Sequence, residues 1–284
     1  MKTAIVGFAL CAVLLNAAPQ WTESTGITPE KVEALSWQAR RDLESGDLRK
    51  ASAEADAVLY ESRGLLKGRP LDSAPSLATA VGAAYEVQAQ ALDAEGRRAE
   101  AIQLLRSAMR QWSGTSITTR LQKNLNLLTM QGRRMPELNV TRWIGNKKPT
   151  PTSALRGKVV LLFFWADWCL DCKAEAPVLA KLAAELQSKG LVVIAPTQFY
   201  GFTPTDDHAP PAEEKAFIER VFQKFYAEIP GIEVPLNSEN FQRFGASTTP
   251  TLVLVDRKGI VRLYHPGVMD EAALVSALRP LINS

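Results

Sequence analysis

Phe164-Trp165-Ala166-Asp167-Trp168-Cys169-Leu170-Asp171-Cys172-Lys173-Ala174-Glu175-Ala176-Pro177 places two cysteines two residues apart, directly after a run of strand-forming apolar residues from Lys158 to Trp165. Helix-forming residues follow. A strand that delivers a C-x-x-C to the first turn of a helix makes one thiol acidic and lets a disulfide form and break easily. The helix start contributes unpaired backbone N–H groups and the positive end of its dipole, and both favour a thiolate.

The pattern continues outward from this motif. Strands at 158–165, 191–196, 251–256 and 260–264 alternate with helices at 170–188, 213–228 and 270–282, and Asp256-Arg257-Lys258-Gly259 closes a hairpin. This order describes a mixed α/β sheet covered on both faces. Upstream, residues 29–130 read as helical. Thr28-Pro29-Glu30 is a helix start, Ser45-Gly46-Asp47 and Lys67-Gly68-Arg69-Pro70 are breaks, and helices follow at 48–66, 76–94, 97–112 and 116–130. Gly96 to Leu105 resembles the second half of a tetratricopeptide repeat, though only about two hairpins fit the period. Gln131 to Pro151, with its glycines and prolines, reads as a linker and the start of a second domain.

The first residues look like an export signal: Met1-Lys2 is positive, Ala4 to Leu15 is apolar, and Asn16-Ala17-Ala18 is a small-residue zone. Its apolar run is short for a bilayer span. The expected location is therefore extracytoplasmic, periplasmic in particular, with a membrane anchor as the alternative where the leader is retained. Removing the leader takes Cys11 with it and leaves Cys169 and Cys172 as the only sulfur pair, with no disulfide framework around them. Lys and Arg number 33 against 30 Asp and Glu, and the charges are interspersed. That balance argues against nucleic acid or an anionic membrane as the main partner.

Trp168, Cys169, Cys172, Glu175 and Pro177 meet the pattern W-C-x-x-C-x-x-E-x-P, and Thr249-Pro250-Thr251-Leu252 precedes a strand. Together these residues resemble the exported TlpA/ResA-like thiol-disulfide oxidoreductases, over about half the chain. The resemblance implies an α/β thioredoxin-like C-terminal domain, a mixed central sheet flanked by helices, at residues 132–284. An all-α, TPR-like domain at 24–131 and a signal peptide at 1–18 precede it. It also implies an enzyme that exchanges a Cys169–Cys172 disulfide with protein substrates, acting as a reductant and needing neither metal nor other cofactor. In that reading Cys169 is the nucleophile, its sulfur partly exposed, and Cys172 resolves the mixed disulfide from a more buried position. Trp168, Thr249 and a cis Pro250 bind substrate, and Trp165, Asp171, Glu175 and Pro177 support the site. The implied partners are protein thiols and disulfides, an apocytochrome among them, and an upstream membrane or soluble thiol reductant. The helical domain either binds a protein partner or dimerises.

Three departures sharpen the reading. Thioredoxin carries a buried aspartate six residues before its first cysteine, and here that position is Phe163, so another group or water must take the proton. The peroxidases of related fold need a threonine three residues before their cysteine, where this chain has Ala166. Copper carriers of related fold space their cysteines one residue further apart and add a histidine at a matching later position, and that spacing is missing here; a helical adaptor or soft-metal carrier is the alternative function. Asp167 and Asp171 place negative charge beside the thiols, disfavour the thiolate and so favour a reductant, with Lys173 partly offsetting them. The long connection Pro196 to Ala212 is expected to shape substrate access. Within it His208 is either a proton-transfer group or a solvated bystander. His265 reads as structural.

Overall fold

The structure, a computed structural model, describes residues 26–283; the leader and Cys11 lie outside the described residues. Five helices come first: α1 (Pro29–Glu44), α2 (Leu48–Leu66), α3 (Pro75–Ala94), α4 (Arg98–Gln111) and α5 (Thr118–Thr129). Thr28 caps α1 through its hydroxyl and Asp47 caps α2 through its carboxylate, as their short polar side chains allow. Helix α3 is the hub of this bundle. Its small residues Ala80, Ala84 and Ala91 are buried and let α1, α2 and α4 approach closely, with Val58, Leu77, Leu105 and Leu121 filling the core.

A second unit follows, with β1 (Trp143–Ile144), β2 (Val159–Phe164), α6 (Leu170–Leu186), β3 (Leu191–Ile194), α7 (Pro211–Phe225), β4 (Val234–Pro235), α8 (Ser238–Phe244), β5 (Thr251–Val255), β6 (Val261–Pro266) and α9 (Glu271–Ile282). The main sheet has the order β3-β2-β5-β6, parallel only between β2 and β3. All six residues of β2 are buried because both sheet faces are covered. Val159, Leu161 and Phe163 point into a core shared with α6, α7 and α9. Val160, Leu162 and Phe164 point the other way, to Phe241 and Phe244 of α8 and to Met130 and Met135.

That second core shows that Gln131 to Pro151 is not a free connection. Met130, Met135 and Leu138 are buried, and residues 132–135 run along the edge of β6, with the Gly132 amide donating to the Val261 carbonyl (2.8 Å) and the Met135 amide to that of Gly259 (2.9 Å). The bundle is joined to the sheet through α5, which packs on α8. Gly245, in the left-handed conformation (φ 61°), lies against the backbone of Gln122 and Lys123. The Tyr264 hydroxyl donates to the carbonyl of Phe244 (2.8 Å) and braces the same corner.

Candidate active site

Strand β2 ends at Phe164, opposite Thr251 at the start of β5. The turn leading from β2 to the cysteines and the turn leading from α8 into β5 therefore emerge at one edge of the sheet. Trp165 anchors the first turn. It is wholly buried, its indole N–H donates to the Ala195 carbonyl (2.9 Å), and its own carbonyl accepts from the Thr197 hydroxyl (3.0 Å). Trp165 is thus part of the core, where it also stacks on Tyr226 at 4.5 Å between ring centroids.

Cys169 is the N-cap of α6 and is bonded to Cys172, with 5.3 Å between their Cα atoms. The Cys172 amide donates to the Cys169 sulfur at 3.1 Å. Such a position holds a thiolate through one of the orphan N–H groups of the helix and the dipole behind it. Cys172 is 0% exposed and Cys169 only 4%. The first sulfur is thus more covered than its place at a helix start suggests: it is bonded to the buried Cys172 and packs in the same apolar core, while the Cys169 amide donates to the Ala166 carbonyl (3.1 Å). Helix α6 runs unbroken through Pro177, whose missing N–H removes the bond to the Lys173 carbonyl one turn earlier.

The Thr249–Pro250 bond is cis. The Pro250 carbonyl accepts from the Gly267 amide (2.8 Å), which ties this turn to the loop after β6. In the same loop the Met269 amide donates to Glu175 Oε1 (2.9 Å), so Glu175 joins α6 to the segment that holds Pro250. Glu175 is buried, its Oε2 has no partner among the described residues, and burial pushes its carboxyl up against the opposing pull of the Met269 amide. Asp171 lies exposed in the first turn of α6.

Asp167, in sequence a charge beside the thiols, is a buried acid in the structure. It is 1% exposed and, among the described residues, its carboxylate has no hydrogen-bond partner beyond its own backbone amide. Burial raises its affinity for a proton, and Glu214 adds to that while Lys173 opposes it. Phe163, at the position where thioredoxin has its aspartate, packs on Tyr226 at 6.3 Å.

Glu214 is a site-forming residue that the sequence did not mark. From α7 it accepts the amides of Tyr200 and Gly201 (3.0 Å for the latter) and so fixes the long connection after β3. Tyr200 meets Trp168 edge-on at 5.5 Å and Phe202 at 6.4 Å. His208 is exposed, with its amide bonded to Asp206 (2.8 Å), and His265 Nε2 lies 3.0 Å from the Val268 carbonyl. Four large apolar side chains are exposed on the segments of this sheet edge: Trp168 (48% exposed) and Leu170 (77%) on either side of Cys169, Phe202 (37%) in the connection after β3, and Val268 (54%) in the loop after β6.

A sheet edge that presents a helix-capping cysteine, its partner one turn on and a threonine–cis-proline turn defines a thioredoxin-like disulfide-exchange centre. Comparison with known proteins agrees. Residues 131–264 match the AhpC/TSA family. The chain is 33% identical over 142 residues to a thiol:disulfide interchange protein DsbE of Pseudomonas fluorescens, covering 50% of this chain and 70% of that one. It is 28% identical over 148 residues to the thioredoxin-like protein YneN of Bacillus subtilis, covering 52% and 78%. With the thiol-disulfide oxidoreductase ResA of Geobacillus thermodenitrificans it shares 27% over 116 residues, covering 41% and 59%. The chain belongs to the thioredoxin-like thiol-disulfide oxidoreductases of the DsbE and ResA type.

Proposed function

We propose that this protein reduces protein disulfides outside the cytoplasm, with Cys169 as nucleophile and Cys172 as resolving thiol. The observation that carries this reading is the helix-cap position of Cys169, whose sulfur accepts the Cys172 amide at 3.1 Å. The Cys169 thiolate attacks one sulfur of the substrate disulfide; that S–S bond breaks, a Cys169–substrate disulfide forms and the first substrate thiolate leaves. Cys172 then loses its proton and attacks the Cys169 sulfur, which expels the second substrate thiolate and closes the internal disulfide. Two electrons pass to the substrate. An upstream thiol reductant, soluble or in the membrane, returns them.

The proton from Cys172 needs an acceptor in place of the aspartate that Phe163 replaces. Asp167 and Glu175, two buried carboxyl groups within three residues of the pair, serve this step. Burial raises both, which brings them towards the range where a proton is taken up and given back readily. Trp168, Leu170, Phe202 and Val268 form an apolar collar suited to a polypeptide rather than a small thiol. Thr249 offers its backbone to an extended substrate chain by strand addition. The cysteines of an apocytochrome are one such substrate.

Export rests on the leader at residues 1–18. Among the described residues no helix is long and apolar enough to cross a membrane. The reduction potential of the Cys169–Cys172 couple tests the direction of electron flow. A value near about −270 mV supports a reductant, and one near about −120 mV contradicts it.

A further inference from the structure

Between the bundle and the segment leading into β5 lies an open cleft of about 670 Å³ that the exchange chemistry does not use. Its walls come from α1, α3 and α5 on one side and from Ser247 and Thr248 on the other. Those two residues immediately precede Thr249 and Pro250. A chain laid along the Thr249–Pro250 turn needs only two further residues, about 7 Å when extended, to reach the cleft. Gly245, pressed against Lys123, fixes the distance between the two walls.

The cleft is charged. Arg40, Arg120 and Lys123 converge on Glu86, with Arg120 Nε at 2.9 Å, Lys123 Nζ at 3.1 Å and an Arg40 guanidinium nitrogen at 3.8 Å. The other carboxylate on the wall, Asp72, is engaged by the amide and hydroxyl of Ser116. Three cations thus face two carboxylates, and both carboxylates already have partners. Arg40 makes the weakest of the three ion pairs and is also held over the ring of Trp37 at 5.3 Å, itself 48% exposed one turn earlier on α1. A planar guanidinium braced by an aromatic ring and short of a close partner is suited to a carboxylate brought by a ligand.

Building on the proposed reductase, we infer that this cleft is the second half of the substrate site: it receives an acidic stretch of the same polypeptide whose cysteine is attacked by Cys169. The bundle then acts as a specificity wall beside the exchange centre. The anionic segment binds between Arg40 and Lys123 while the cysteine lies at the collar.

The test uses the reduced mature protein and two synthetic peptides, each carrying one cysteine as a glutathione mixed disulfide. One has a run of glutamates beside the cysteine and the other a run of lysines, each made with the run on either side. At low ionic strength the single-turnover second-order rate constant for oxidation of the reduced protein favours the glutamate peptide by about tenfold in one of the two orders, and the preference shrinks in high salt. Arg40→Glu abolishes or reverses it, and Arg40→Gln weakens it. Equal turnover of both peptides at low salt overturns the inference while leaving the reductase intact, as does a preference that Arg40→Glu leaves unchanged. Concentration-dependent dimerisation that Arg40→Glu abolishes also overturns it, by assigning the cleft to a second copy. Turnover of neither peptide removes the reductase reading itself, and the cleft assignment falls with it.

Discussion

Gly245 and Lys123 meet backbone to backbone: a Cβ added to Gly245 would lie 2.4 Å from the Lys123 amide nitrogen. One residue from α5 and one from the cap of α8 thereby hold the helical bundle against the segment that runs into Thr249 and Pro250. This contact puts the bundle next to the exchange centre, and it can be broken selectively.

Gly245→Ala should destabilise the protein by about 3 kcal/mol, from left-handed strain and from backbone atoms that cannot move aside. Gly96 also has positive φ, but a Cβ there would meet nothing within 4 Å. Gly96→Ala should therefore cost only about 1 kcal/mol. Chemical denaturation of the two variants checks the difference, and equal losses would show that the contact is not tight.

Glu86 anchors the cleft. Burial pushes its carboxyl up, but Lys123 and Arg120 outweigh burial and hold it at about 2, against an ordinary 4.5. Because the folded value is depressed, the stabilisation is complete above the unfolded value and is lost as pH falls from about 4.5 towards 2. From a shift of that size the contribution is about 3 kcal/mol at neutral pH. Glu86→Gln should lose that much at pH 7 and much less near pH 3, read from denaturation midpoints.

Asp167 has the opposite sign. Its folded affinity for a proton is raised, so its ionisation opposes folding as pH rises through the folded value. Asp167→Asn should be more stable than the parent at pH 7, and the gap should close as pH falls below the ordinary carboxylate range, read from denaturation midpoints. If it is less stable at pH 7, the carboxylate has a stabilising partner that burial alone does not reveal.

Asp171 is exposed in the first turn of α6, where its charge disfavours a thiolate at Cys169. Asp171→Asn should raise the reduction potential by about 10–20 mV, since 30 mV corresponds to about 1.4 kcal/mol and an exposed charge contributes less. A redox titration against glutathione measures it, and a fall in potential would contradict the electrostatic argument.

Much of this was legible because it is local. The helices from Pro29 to Thr129 end at the glycine and proline breaks that mark them, and the alternation after Lys158 announces the sheet. The two-residue strands at Trp143–Ile144 and Val234–Pro235 are too short to show any alternation. Helix α8, only seven residues long, announces itself by little beyond the Asn237 cap. Gln131 to Pro151 looks like a linker because its order comes from the edge of β6, a pairing between residues more than a hundred apart. In the site, the cysteines and Thr249–Pro250 are carried by motif and resemblance. The burial of Asp167 and the hold of Glu214 on Tyr200 and Gly201 arise only from tertiary packing, and no spacing encodes them.

Everything proposed for this site depends on Cys169 being the nucleophile of a disulfide exchange. Reduction of a peptide disulfide by the full-length protein, compared among the parent, Cys169→Ser and Cys172→Ser, tests it most directly. Cys169→Ser should lose turnover by on the order of 1000-fold or more. Cys172→Ser should accumulate a mixed disulfide through Cys169, visible as a mass increase that dithiothreitol reverses. Full activity in Cys169→Ser would show that another group is the nucleophile.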